Sequence, residues 1–121
     1  MSYVDGYLLA VPKKHLKAYQ KMARDAGKVW MKHGALKYVE AAGDDLDAMD
    51  GLLPFAKTVK AKPDEIVIFS FVLFKSRKHR DAVNKKVFQD PYMTDPKMQE
   101  TDMPFDMKRM AYGGFSPIVD L

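Results

Sequence analysis

An α+β sandwich of the split β-α-β, ferredoxin-like kind is what this sequence predicts, on three observations. The first is the order of periodicities, which runs strand, helix, strand pair, helix, strand. The second is EIVIFSFVLF at residues 65–74, a stretch apolar on both faces and so suited to the middle of a sheet. The third is size and composition. A chain of 121 residues, 47% hydrophobic, with seven glycines and seven prolines, suits one globular domain over 1–121 with a real core.

YVDGYLLAVP (3–12) alternates as a strand, with Tyr3, Asp5, Tyr7, Leu9 and Val11 on one face and Val4, Gly6, Leu8 and Ala10 on the other. Pro12 suits the first turn of a helix. Beyond it Leu16, Tyr19, Met22, Ala23, Ala26, Val29 and Trp30 form an apolar stripe, and seven Lys and Arg side chains fall opposite. Gly34 stands where a left-handed cap ends such a helix. ALKYVEAA (35–42) predicts a second strand and GDDLDAMDG (43–51) an acidic loop. FAKTVKA (55–61) alternates, and KPDE turns it into 65–74, which predicts an added hairpin strand. Ser76 caps a second helix through about Asp90, stopped by Pro91, with Val83 and Val87 buried and His79 packing beside them. Residues 91–108 show no period, with methionines at 93, 98, 103 and 107, and read as an ordered excursion. The stretch 109–121 predicts a final strand, where Gly113-Gly114 invites a bulge or a close backbone approach.

A strand greasy on both faces must be covered on both. Two helices of this length cover one face of the sheet, and no remaining segment is obviously large enough for the second. The expectation is a homodimer closed sheet against sheet.

The exclusions are equally direct. With no cysteine, disulfides, thiolate metal sites and thiol nucleophiles are all ruled out, as suits a reducing compartment. The N-terminus lacks a basic start and reads as a strand rather than a signal peptide. No apolar run approaches the roughly 20 residues that span a bilayer, so the expected location is cytoplasmic, without a membrane partner. The net charge is +4, unevenly spread: five acidic residues and no basic one from Glu40 to Asp50, six basic ones against Asp81 from Lys75 to Lys86. A calcium loop begun at Asp45 would put Asp50 where glycine is needed and Ala56 where the bidentate glutamate belongs, so the acidic stretch reads as a solvated loop. The basic run lacks the aromatic interleaving of a single-strand reader and reads as a solvated helix face.

MSYVDGYLLAVP, W-x-x-HGALKYVE followed by GDD, FSFVLFKSRKHRDAVNKKV followed by DP, and MPFDMKRMAYGGF resemble, in order and over nearly the whole chain, one small bacterial family. It is known as domain of unknown function 1428, the YbaA-like proteins. The resemblance implies a ferredoxin-like subunit assembled as a dimeric α/β barrel, and implies no reaction or cofactor.

The candidate site residues follow from polar side chains in otherwise apolar strands: Asp5, Tyr7, Tyr38, Glu40, Arg109 and Tyr112. One reading is a structural network at the dimer interface, with Asp5 or Glu40 paired to Arg109. The other is a cavity at the sheet interior that binds a small organic molecule, in a binding protein or a cofactor-independent enzyme. In that reading His33, Glu40 and Asp5 are the proton-transfer candidates, and Tyr7, Tyr38, Tyr112 and Arg109 the ligand contacts, Arg109 for an anion. His33 also reads as a capping residue in the last helical turn. It shares a helix face with His15, but about 27 Å separates them at about 1.5 Å per residue, too far to share a metal. No spacing indicates haem, flavin, nicotinamide or zinc, so no cofactor and no metal is expected. The alternative function is an RNA-associated or other binding protein that uses its basic helix faces without catalysis.

Overall fold

The opening alternation becomes β1, Tyr3–Pro12, in the computed structural model, which describes residues 2–47, 49–97 and 103–121. Pro12 leads into a 3-10 turn, Lys13–His15, that continues as α1, Leu16–Lys32. α1 buries Tyr19, Ala23, Gly27 and Val29 and presents its lysines outward. Gly34, at φ 112°, ends it as expected, because a side chain there would be strained. β2 is Lys37–Ala42, α2 Phe55–Thr58 and β3 Glu65–Phe74. Ser76 accepts a hydrogen bond from the His79 backbone N–H at 3.0 Å and so starts α3, Arg77–Gln89. Asp90 and Pro91 close α3 and open a single turn, α4, Pro91–Thr94; β4 is Ala111–Phe115.

The four strands form one antiparallel sheet in the order β2-β3-β1-β4, which is the ferredoxin-like order. Register decides which side chains share a face. Tyr3, Asp5, Tyr7, Leu9 and Val11 of β1 stand opposite Phe74, Val72, Ser70, Ile68 and Ile66 of β3, and all ten face the helices. Tyr3, Phe74, Val72, Val29, Val83 and Val87 pack as one core cluster; Leu9, Val11, Ile68, Tyr19 and Ala23 form a second.

The predicted hairpin strand at 55–61 is instead the helical turn α2. Phe55, Lys57, Val59 and Ala61 fit period two, but Phe55 and Val59 are also one helical turn apart, and Pro54 is preset to begin such a turn. Lys60, at φ 52°, ends it. Val59 is 2% exposed against Ala10 and Val67, on the sheet face away from the long helices. The segment around α2 therefore covers one end of that face, which the sequence reading left wholly uncovered. Gly113 and Gly114 pair in register with Gly6 and Asp5, with no bulge. Arg109 lies in a 3-10 turn, Met107–Arg109, rather than in the last strand, because Asp106 caps that turn. Of the methionines between 91 and 108, Met98 lies outside the described residues.

The rest of the far face stays apolar and open. Val4, Phe71 and Leu73 are half-buried there, while Phe69 is 49% and Phe115 61% exposed.

Glycine in a helix interior ordinarily costs about 1 kcal/mol relative to alanine. At Gly27, however, an added Cβ would come within 2.6 Å of the Tyr38 ring. Gly27→Ala is therefore expected to destabilise by about 1–3 kcal/mol, as overpacked sites do, and a urea midpoint equal to or above the parent's would contradict this. Glu65 is bound by both Arg109 guanidinium nitrogens at 2.7 Å. Chiefly through that pairing, its pKa falls from the ordinary 4.5 to about 2. A folded-state pKa below the unfolded one means the contribution is present above 4.5 and is lost as pH falls towards 2. Glu65→Gln should thus lower the urea midpoint at pH 7 and lower it less at pH 3.

Candidate functional site

Ser70 is the one polar residue on the inward face of β3, among Ile66, Ile68, Val72 and Phe74. It stands in a row that crosses the sheet: Glu40 on β2, Ser70 on β3, Tyr7 on β1 and Tyr112 on β4. Above this row, between the sheet and the two long helices, lies a cavity of about 640 Å³. α1 supplies Tyr19, Met22 and Trp30 to its walls, α3 supplies Asn84 and Phe88, and the 91–110 segment supplies six more apolar or aromatic side chains, among them Phe105 and Met110. Among the described lining residues, Glu40 is the only ionisable carboxyl, and there is no lysine, arginine or histidine.

Glu40 is held by two phenols. Tyr19 donates to Oε1 and Tyr38 donates to Oε2, each at 2.6 Å, the short range of charge-assisted bonds. Burial, and then the adjacent Glu40, push both phenols well above their ordinary pKa, so they remain protonated donors. Each carboxylate oxygen keeps lone-pair capacity for a further donor. The trio also borders a groove of about 600 Å³ between α1 and the β2 side of the sheet, where Gln20, Arg24 and Lys28 stand. Glu40 is thus a partition residue between groove and cavity. Gly27 lets the Tyr38 ring lie directly against α1, and Trp30 packs 5.9 Å from it, centroid to centroid.

Asp5 and Arg80 form a second polar centre beside the cavity. Asp5 is fully buried; its Oδ2 accepts from Asn84 Nδ2 at 3.4 Å, and its Oδ1 lies 3.4 Å from Arg80 Nη1, a charge pair without hydrogen-bond geometry. Burial pushes the Asp5 carboxyl up, and Arg80, Asn84 and Tyr112 pull it back. Arg80 donates to the Tyr112 hydroxyl at 3.0 Å and lies over the Tyr3 ring. Asn84 Oδ1 accepts from Trp30 Nε1 at 3.0 Å, which fixes both side chains at the cavity wall.

The structure therefore brings together Tyr7, Tyr38, Glu40 and Tyr112, with Asp5 just behind them. It places them on the helix side of the sheet, not on the open face where a second sheet would stack. The expected pairing of Asp5 or Glu40 with Arg109 does not form. Arg109 binds Glu65, Asp106 and the Lys60 carbonyl, away from the cavity. Its guanidinium is saturated there by carboxylates closer in the fold. His33 caps α1 and its Nε2 meets Asp90 Oδ2 at 2.7 Å, beside Lys32 at 3.0 Å. The Tyr92 backbone N–H, then His33 and Lys32, hold the Asp90 carboxyl well below the usual carboxylate range. His33 does not line the cavity.

Sequence reading missed Tyr19, Trp30, Ser70, Asn84 and Arg80. Tyr19 and Trp30 were placed on the buried stripe of α1, where a phenol and an indole need a polar partner. Arg80 was grouped with a solvated basic face, yet it is three residues before Val83 and seven before Val87, which turns it inward. Among the described residues, no group of three or more metal-ligating side chains stands together, and no helix is long and apolar enough to cross a membrane.

Comparison with known proteins agrees with this architecture. A solved structure of a dimeric ferredoxin-like protein from an uncultured marine organism matches with a TM-score of 0.64 at 11% identity, covering 100% of both chains, a likeness of fold. Uncharacterized protein YbaA of Escherichia coli (strain K12) is 43% identical over 123 residues, covering 99% of each chain; proteins of the same name from Escherichia coli O157:H7 and Shigella flexneri match equally. Residues 2–107 match the family model described as "Protein of unknown function (DUF1428)". On the sheet order, the whole-length identity and that match together, the chain belongs to the DUF1428 family, alongside YbaA.

Proposed function

We propose that this protein binds a small, largely apolar organic molecule in the cavity between the sheet and its helices, with Glu40 as the group that recognises it. The observation that carries this reading is a carboxylate at the wall of an apolar cavity, braced by two phenols and given no cationic partner among the cavity's described lining residues. Such a site favours a neutral or cationic ligand with a hydrogen-bond donor, because a second negative charge would meet Glu40 where solvent screening is weak. This replaces the anion-binding role first given to Arg109. Glu40 is also the side chain best placed to accept a proton from a bound ligand, since every phenol around it is held protonated.

The open apolar face supports a homodimer, the state named for the solved ferredoxin-like neighbour. Phe69, Phe71, Leu73, Val4 and Phe115 form a surface that water would otherwise cover at a cost of about 25 cal/mol per Å² of apolar area. A cytoplasmic location suits the cysteine-free chain.

Two outcomes test these readings. Calorimetric titration should show 2-naphthol binding at least about tenfold more tightly than 2-naphthoate, a difference of about 1.4 kcal/mol, and Glu40→Gln should collapse the ratio. Equal affinities in the parent protein would remove the proposed role of Glu40. By light scattering, the parent should run at twice the chain mass and a Phe69→Asp, Phe115→Asp double variant at the chain mass; a folded parent monomer at micromolar concentration would contradict the dimer.

A further inference from the structure

We infer that the ligand carries two polar groups on one flat apolar body: a hydrogen-bond donor that Glu40 accepts, and a carbonyl or similar acceptor that takes the hydroxyl of Tyr7. The inference rests on the cavity reading above and deepens it.

Most of the phenol hydroxyls around the cavity are already committed. Tyr19 and Tyr38 donate to Glu40. Tyr112 accepts from Arg80, and its hydroxyl stands close enough to Asp5 to help pull that carboxyl's pKa back down. The Tyr92 hydroxyl lies in the field of Asp25 and Lys21, towards the outer side of α1. Tyr7 differs: among the described residues its hydroxyl meets no hydrogen-bond partner, while its ring packs 4.9 Å from that of Tyr112. A phenol whose body is packed and whose hydroxyl is left over normally presents that hydroxyl to a partner. Burial and the nearby Asp5, Tyr112 and Glu40 keep it protonated, so it acts as a donor.

Register fixes the spacing. Tyr7 and Glu40 flank Ser70 on three adjacent strands. Neighbouring strands are about 4.8 Å apart, so the two backbones stand about 10 Å from each other, roughly the length of a two-ring aromatic with a substituent at each end. Ser70 between them is the smallest side chain on the inner face of β3, and it leaves the floor clear where every neighbour on that face is Ile, Val or Phe. Met22, Met93 and Met110 on the opposite walls are adaptable side chains suited to an aromatic plane. Acceptor, gap and donor thus lie in line across the sheet, under an apolar roof.

Three matched probes separate these elements by calorimetry: 6-acetyl-2-naphthol with both groups, 2-naphthol with the donor alone, and 2-acetylnaphthalene with the acceptor alone. Tyr7→Phe should weaken the two ketones about five- to tenfold, the worth of one hydrogen bond, and leave 2-naphthol unchanged. Glu40→Gln should weaken the two naphthols about tenfold or more and leave 2-acetylnaphthalene within about twofold. Each variant carries its own internal control, since an unfolded protein would lose all three probes together; an unchanged melting temperature for Tyr7→Phe checks the same point. Equal loss of all three probes on a folded Tyr7→Phe background, or no loss of any, overturns the inference and leaves the cavity reading standing. Failure of every probe to bind the parent protein overturns both.

Discussion

β3 is the constraint from which the rest of the molecule follows. It is hydrogen-bonded on both edges, to β1 and β2, and carries apolar side chains on both faces. Its inner face is covered by α1 and α3, which is why both helices bear apolar stripes and why their charges, Arg80 apart, point out. Its outer face is covered at one end by Val59 and its neighbours around α2. Where that cover stops, Phe69 and Phe71 remain, and the proposed second copy has its place. Every layer of the subunit is thus a response to one strand that cannot face water on either side.

The inner layer is not uniformly greasy, and its polar residues act as linked struts. Glu40 would be costly at an apolar wall without its phenols; with them it forms two short bonds that also hold Tyr19 on α1 and Tyr38 on β2 in fixed positions. Trp30 and Asn84 join α1 to α3, and Asn84 passes the connection on to Asp5 on β1. Arg80 completes the set from α3 by reaching Tyr3, Asp5 and Tyr112. Both helices are therefore tied to the sheet through polar bonds at the sides of the cavity, where apolar contacts alone would favour collapse onto its floor.

Much of this was legible in the sequence, and the parts that were not have physical reasons. The helices, their caps at Ser76 and Gly34, and the four strands follow from local periodicity and turn chemistry, which depend on near neighbours. The segment 55–61 was misread because Phe55 and Val59 satisfy period two and period four alike. Asp5, Tyr7, Tyr38, Glu40 and Tyr112 stand out in the sequence as polar residues in greasy strands, and they lie together on the helix side of the sheet. Which face they served was not legible, because both faces of these strands are apolar and alternation says nothing about which one the helices take. Arg109 was assigned to the wrong partner for a related reason: its pairing with Glu65 spans 44 residues, and only the assembled sheet brings the two together. Ser70 carried a signal that went unused. A serine inside IVIFSFVLF breaks an inner face that is otherwise wholly apolar, and the break sits at the cavity floor.

The cavity itself resists explanation as a packing defect. A space of about 640 Å³ that opens to solvent fills with water when nothing else occupies it, so its walls are wet and it is not a sealed void. It must therefore hold water or something that replaces water. Water alone would wet an array of methionine and aromatic side chains, which is the surface that folding ordinarily removes. Meanwhile the bonds from Trp30 to Asn84 and from Tyr19 and Tyr38 to Glu40 keep the walls apart and oppose the collapse that would relieve the exposure. The proposed occupant would displace that water with its apolar body and meet Glu40 with its donor group, above the floor that Ser70 leaves low.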